Sequence, residues 1–317
     1  MKKIILLISL TATFLIQSCN ESFDPYTSFT DKYGLVCILK SDTTLQFAML
    51  TKNYISDEFN LTKPRFNFEE NADVRLWSGD SAYKLKDTLF VTSQLDTIKG
   101  YYTKKILIQS NTTIEIEALL SSGKRLKAVS QTPPEISFDK NSEVIIPPVG
   151  KNIVQVNWNS IGTDYLYQSR LRIKCEVTEN GTNKVFYKDL PDSYSTSNGV
   201  ISFFYPKPER IASVIYNLDA IKLFLQEFSD SLNNPSAISI HQKLILDIVT
   251  YDKELSKYIS VSSSTLDDLS IRFDEGEYTN VSGGLGIFGS QLNKKYEKLK
   301  FLESFIRSYN FNFIYDN

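Results

Sequence analysis

Leu171-Arg172-Ile173-Lys174-Cys175-Glu176-Val177 alternates apolar and charged residues without a break, and Arg170 extends the charged set. A period of two places Leu171, Ile173, Cys175 and Val177 on one face and the charges on the other. That is the pattern of a strand buried on one side only. The same alternation recurs elsewhere. Val74 and Leu76 alternate with Asp73 and Arg75, and Ile114, Ile116 and Ala118 alternate with Thr113, Glu115 and Glu117. Further strands are expected at 33–39, 44–50, 103–108 and 125–130, with Ser122-Gly123-Lys124 as a hairpin turn between two of them. Helical periodicity is scarce, so the sequence predicts a mainly β protein.

Working outward, Asn180-Gly181-Thr182 turns the chain back towards Val185-Phe186-Tyr187. Upstream, Val154, Val156 and Trp158 share one face, and the next strand carries Tyr165 and Tyr167. A buried Trp facing a Tyr-bearing strand resembles fibronectin type III and other immunoglobulin-like sandwiches. Ile221, Leu223 and Leu225 alternate as a strand would, as do Leu244, Leu246 and Ile248. The stretch from Asp252 to about Val261 is predicted helical. Asp252 would cap it, with Leu255, Tyr258 and Ile259 on one face. From Gln291 to Ser308, the spacing of Leu299, Leu302, Phe305 and Ile306 suits a helix better than a strand.

Thr132-Pro133-Pro134 forces an extended stretch poor in ladder hydrogen bonds, and the domain boundary is placed there. Pro147-Pro148-Val149-Gly150 is a second punctuation, between the first two strands of the next domain. The expected organisation is a leader at 1–18, a tether at 19–30, an N-terminal β-sandwich at 31–132 and a C-terminal immunoglobulin-like β domain at 133–317. One or two short helices belong to the C-terminal half.

The leader carries Lys2 and Lys3, then an apolar run from Ile4 to Ile16. That run is roughly 20 Å long as a helix, too short for a bilayer core of about 30 Å. It has the anatomy of a signal peptide. Leu15-Ile16-Gln17-Ser18-Cys19 resembles a bacterial lipobox, which implies cleavage before Cys19 and lipidation of that residue. Residue 20 is Asn, so the usual inner-membrane retention signal is missing. Glu21 and Asp24 resemble the surface-export signal of Bacteroidota lipoproteins, with a plain polar tether as the alternative. Cys37 and Cys175 then remain, both inside strand-like runs, and two buried unpaired thiols are expected although the compartment allows a disulfide.

The 317 residues contain 35 Lys and Arg against 37 Asp and Glu, a net charge of -2. Loss of Lys2 and Lys3 with the leader leaves 33 against 37, or -4. No basic excess exists to neutralise phosphates, so nucleic acid is not an expected partner. A Ser-His-Asp site would have to use His241, the only His, and no G-x-S-x-G elbow surrounds a serine. An exposed or partnered structural His is expected instead. One His and two separated thiols do not make a zinc site. Asp274, Glu275 and Glu277, with Asn280, form an acidic turn that lacks the spacing of a calcium loop. Asp267-Asp268 reads as a polar helix end. A glycosidase needs two acids that meet only in space, and spacing leaves that open. The 18 Tyr and 20 Phe are expected to be mostly core, with clusters such as Tyr101-Tyr102 available for stacking or protein contacts.

Ser282-Gly283-Gly284-Leu285-Gly286-Ile287-Phe288-Gly289-Ser290 contains a literal G-x-G-x-x-G. A dinucleotide site needs those glycines between a strand and a helix at the start of a βαβ unit, and 28 residues after Gly289 are too few. A glycine-rich turn with positive φ and close backbone approach is expected.

Several pieces coincide in order. They are Cys19 with Glu21 and Phe23-Asp24-Pro25, then Tyr33 to Leu39 with Asp42-Thr43-Thr44, then Ala72 to Trp77. Gly123 to Thr132, Val156-Asn157-Trp158 and Asn280 to Gly289 follow. Together they resemble the Bacteroidota lipoprotein family labelled domain of unknown function 4249, from about residue 19 to 290. The resemblance implies a transthyretin-like first sandwich and a fibronectin-type second one. It also implies an outer-membrane lipoprotein encoded near TonB-dependent receptors. Cys19 is then the lipid attachment site, and Asn280, Gly283, Gly284, Gly286, Phe288 and Gly289 form the family motif, read as a structural turn. The family brings no catalytic residue, cofactor or metal. The expected function is therefore non-catalytic: an accessory to a TonB-dependent transporter that captures ligand or caps the barrel, at the cell surface or on the periplasmic face. The rivals are a surface hydrolase of glycans or peptides with paired carboxylates, and an adhesive or structural module.

Overall fold

The computed structural model describes residues 32–52, 68–91, 97–142, 144–179, 181–261 and 278–316. The leader, Cys19 and the tether to residue 30 lie outside the described residues, as do Asp267, Asp268, Asp274, Glu275 and Glu277. The first half of the chain supplies β1 (Tyr33–Lys40), β2 (Gln46–Lys52), β3 (Asp73–Ser78), β4 (Ser81–Lys84), β5 (Lys86–Val91), β6 (Thr97–Thr103), β7 (Thr113–Leu119) and β8 (Arg125–Gln131). Next come β9 (Ile145–Ile146), β10 (Ile153–Asn157), β11 (Tyr167–Glu179), β12 (Thr182–Asp189), β13 (Ser193–Ser197), β14 (Val200–Phe204) and β15 (Ser213–Asn217). The last are β16 (Ile238–His241), β17 (Ile245–Tyr251), β18 (Leu285–Tyr296), β19 (Lys300–Phe301) and β20 (Asn312–Ile314). Helices span Leu218–Asp230, Lys253–Val261 and Glu303–Arg307. The protein is mainly β.

One ten-stranded sheet runs in the order β20-β16-β11-β17-β18-β1-β2-β6-β5, with β12 on the free edge of β11. β11, which carries Leu171 to Val177, is its pivot. β11 takes β17 along Tyr167 to Arg172 and β16 along Cys175 to Val177, while β12 pairs with Arg172 to Glu179. A four-stranded sheet, β4-β3-β7-β8, packs on one end of the same face. Between them lies a core of Leu35, Cys37, Leu50 and Phe288 from the large sheet and Val74, Leu76, Ile114 and Ile116 from the small one. On the other end, Leu171, Ile173, Cys175 and Leu246 face Val154, Val156 and Tyr216 of the β10-β15 pair. Each such fully buried aliphatic side chain is worth about 1.5–3 kcal/mol of transfer free energy.

The chain thus folds as two β-sandwiches that share one sheet, and Tyr33–Asn317 form one compact unit. The first core draws on residues 33 to 128 and then on Val281 and Phe288; the second runs from Ile136 to Phe311. The passage between them falls at the Thr132-Pro133-Pro134 stretch. The large sheet is not cut there, because β1 pairs in parallel with β18 from Gly34↔Leu285 to Lys40↔Gln291. A strand from the C-terminal half therefore completes the first sandwich.

Three local expectations are corrected. The strand expected at 103–108 is β6, which ends at Thr103. Ile106 and Ile108 are buried, but as loop residues; the Ile106 carbonyl accepts from the side-chain amide of Gln46 rather than from a strand's backbone N–H. Ile221, Leu223 and Leu225 lie on the helix Leu218–Asp230. Asn217 Oδ1 accepts from the Asp219 amide at 2.8 Å and caps it, so Leu218, Ile221 and Leu225 bury one helical face. Gln291 to Tyr296 continues β18, because β17 pairs with it; only Glu303–Arg307 of that stretch is helical.

Candidate functional site

The segment from Asn280 to Gly289 joins β18 to its surroundings. Ser282 exchanges two backbone hydrogen bonds with Lys127 of β8, at 3.1 and 2.8 Å. Gly283 has φ +81°, and a Cβ there would lie 2.3 Å from the Arg125 carbonyl oxygen. Gly286 has φ +119°, and its Cβ would lie 2.1 Å from the Leu35 oxygen across the β1-β18 pairing. A Cβ on Gly284 would meet the Tyr33 oxygen at 2.5 Å, and one on Gly289 would press on Asp252 and Leu255 at 3.0 Å. Asn280 acts as a missing strand. Its Nδ2 donates to the Phe288 carbonyl at 2.7 Å, and the Phe288 N–H donates to its Oδ1 at 2.9 Å. Gly283 and Gly284 form the expected turn. Gly286, Phe288 and Gly289 sit inside a strand, and their role is close packing rather than a phosphate cradle.

Asp252 ties the helix Lys253–Val261 to β8 and β18. Ser130 Oγ of β8 and Ser290 Oγ of β18 each donate to its Oδ2 at 2.9 Å, and the Ser290 N–H does so at 2.5 Å. The Leu255 N–H donates to Oδ1 at 2.8 Å, which caps the helix Lys253–Val261 as the sequence predicts. Burial pushes the Asp252 carboxyl up to about 6 against the pull of these donors. That helix covers the back of the sheet over Val36 and Ile287 with Leu255 and Tyr258. All four donors belong to the chain itself, so Asp252 works as a structural joint.

His241, at the end of β16, has both ring nitrogens engaged by acids. Nδ1 lies 2.7 Å from Asp316 Oδ1 and Nε2 lies 3.3 Å from Glu176 Oε2. Burial alone would raise Asp316, but the Lys243 N–H and His241 hold it below the usual carboxylate value. The cluster pins the chain end to β11 and β16 and leaves no ring nitrogen for a serine. Cys37 and Cys175 are buried free thiols, and burial pushes both up to about 12. Tyr101 is buried, with its hydroxyl donating to the Glu69 carbonyl, so it is core rather than surface. No group of three or more His, Cys, Asp or Glu that could hold a metal occurs among the described residues. No helix among them is long and apolar enough to cross a membrane.

Grooves open at the surface among the described residues. One, of about 750 Å³, lies over the end of the second core between Val177, Phe186, Leu232, Asn234 and Ile238, and its lining holds no carboxylate. Another, of about 920 Å³, interleaves Glu135, Asp139 and Glu297 with Lys294, Lys295 and Lys298, and Lys294 is ion-paired with Glu135.

The most distinctive surface is the outer layer of the second sandwich. Strands β10, β13, β14 and β15 contain no Asp, Glu, Lys or Arg, in a chain that is 23% charged. From Ser193 to Pro206 no residue is charged. Hydrogen bonds from the Asn217 N–H to the Asp192 carbonyl and from the Asp192 N–H to the Phe204 carbonyl tie β15 to the base of the β13-β14 hairpin. The hairpin turns at Asn198-Gly199, both at positive φ. One of its faces rests on the helix Leu218–Asp230 through Phe203 and Phe224, whose ring centroids are 5.7 Å apart. The other is open: Val200 is 64% exposed and Phe204 48%, with Tyr205, Ile211, Ile215 and Ile153 exposed nearby. Depletion of charge with exposed aromatic and aliphatic side chains is the composition of an interface centre. Sequence reading passed over this layer; the unbroken uncharged run from 193 to 206 was the signal available.

No family model matches the chain, and no curated protein matches it. Among solved structures it is similar to the FN1-FN3 domains of chicken CNTN1, at 9% identity over 85% of this chain and 67% of that one, with a TM-score of 0.17.

Proposed function

We propose that this chain is a non-catalytic, lipid-anchored protein of the bacterial outer membrane. It is held by Cys19 and serves as an accessory to a TonB-dependent transporter of the Bacteroidota type. The observation that carries the reading is the uncharged, exposed layer of β10, β13, β14 and β15, a surface suited to covering by another protein. The lipobox-like stretch ending at Cys19 supports an acyl anchor. The layer also favours docking over hydrolysis. The carboxyl pushed upward, Asp252, is sealed beneath a helix rather than set in either groove. The test is co-purification of the tagged, lipidated protein from gently solubilised outer membranes. A stoichiometric β-barrel receptor supports the reading, and its absence counts against it. Loss of membrane attachment in Cys19→Ser checks the anchor.

A further inference from the structure

We propose that the β13-β14 hairpin recruits its partner by strand addition: a free edge of the hairpin takes up an extended, uncharged segment of the partner protein. This rests on the reading above that a protein partner exists, and it names where and how that partner binds.

An edge strand exposes a row of unpaired N–H and C=O groups, and proteins guard such rows with charge, brevity or cover. Most strand edges among the described residues are guarded. β12 carries Lys184, Lys188 and Asp189, β5 begins with Lys86 and Asp87, and β4 ends in Lys84. β8 carries Arg125 and Lys127 and is stitched to Ser282. β20 has only three residues, and β9 and β19 two each. β10 pairs with β15 and is bonded at its last residue, Asn157, by the Ser142 hydroxyl and the Asp139 N–H.

The β13-β14 hairpin has none of these devices. Its two five-residue strands pair only with each other, from Ser193↔Phe204 to Ser197↔Val200. Neither contains a charge or a proline, and every residue of β13 is exposed. A two-stranded ribbon needs a third strand or a packed helix to be stable in water; the helix Leu218–Asp230 supports this one on one face through Phe203, and its edges stay open to a further strand. The charge-free edge sets the chemistry of the occupant. A segment bearing Lys, Arg, Asp or Glu would bring an uncompensated charge against Ser195, Thr196, Ile201 and Ser202, whereas an uncharged segment brings none. Main-chain hydrogen bonds would supply affinity, and the open face with Val200 and Phe204 would read alternate side chains.

The experiment uses the full-length, lipidated protein in gently solubilised outer membranes. Three forms are compared: wild type, the double variant Ser195→Lys with Ser197→Lys, and Phe204→Ser. All three positions are exposed, so thermal unfolding is expected to change by no more than a few degrees, which is checked first. The expected result is a tenfold or greater loss of recovered β-barrel receptor for the lysine pair, with hydrogen exchange of the amides from 193 to 204 slowed in the wild-type complex. If wild type and the lysine pair recover the barrel equally and the hairpin amides gain no protection, strand addition is wrong while the accessory reading stands. If Phe204→Ser abolishes recovery and the lysine pair does not, the contact is a stacking face of the kind a glycan or an apolar surface uses, and strand addition is again overturned. If wild type recovers no barrel, the accessory reading and this inference fall together.

Discussion

Asn280 should be worth more to stability than its half-exposed position suggests. Its side chain satisfies both backbone groups of Phe288, a residue with no exposed surface, on an edge of β18 that β17 reaches only from Gln291 onward. Asn280→Ala leaves a buried N–H and a buried C=O without partners. Each costs about 1–3 kcal/mol, so the pair costs about 3 kcal/mol once partial rehydration is allowed. For a unit of this size that lowers the melting temperature by about 6–12 °C. Asn280→Asp keeps the acceptor for the N–H but sets a carboxylate oxygen against the Phe288 carbonyl, so it should be at least as damaging. The assay is urea unfolding followed by tryptophan fluorescence. Trp77 lies on β3 in the first sandwich and Trp158 packs in the second, so single Trp→Phe backgrounds report each separately. Because the sandwiches share a sheet, both probes should give one midpoint and move together. A loss below about 1 kcal/mol in both variants, or two separate midpoints, would refute the reasoning.

Three further outcomes follow from the same packing. Gly286→Ala puts a methyl 2.1 Å from the Leu35 oxygen at φ +119°, and should cost at least about 3 kcal/mol or prevent accumulation of folded protein, read by soluble yield and unfolding midpoint. Asp252 is raised from 3.8 to about 6 in the folded state, so its contribution is fully present below about pH 4 and is lost as pH rises through 6. Wild type should therefore lose about 2 kcal/mol relative to Asp252→Asn between pH 4 and pH 7, a difference in which the other titrating groups cancel; a pH-independent difference would contradict it. Cys37 and Cys175, buried and pushed up to about 12, should react with a thiol reagent only after denaturant is added, and labelling at native rates would show that the cores open.

Much of the fold was legible because it is written in short-range alternation. β7, β8 and β11 each bury every second residue, and their strands lie where the pattern placed them. Asp252 was legible as a helix cap, because Leu255 is three residues away. Its burial was not, since Ser130 and Ser290 arrive from β8 and β18. The parallel pairing of β1 with β18 joins segments far apart in the chain, and no local pattern encodes it. That is why the glycines after Asn280 read wholly as a turn, when half of them lie in a strand that needs space beside Leu35. The helix Leu218–Asp230 was misread because Ile221, Leu223 and Leu225 mimic a period of two, while its true stripe begins at Leu218 behind the Asn217 cap. The candidate surface was legible only as an absence of charge, a signal that motif reading does not collect.

The composition of the native particle bears most directly on the proposed role. The lipidated protein would be released from outer membranes in mild detergent, isolated by a tag placed away from Ser193–Phe204, and weighed by native mass spectrometry. The account predicts a particle containing one β-barrel receptor for each copy of this chain, dispersed to free lipoprotein when the hairpin carries the two lysines. A homogeneous particle of acylated chain alone, obtained under conditions that keep other barrel complexes intact, would contradict it.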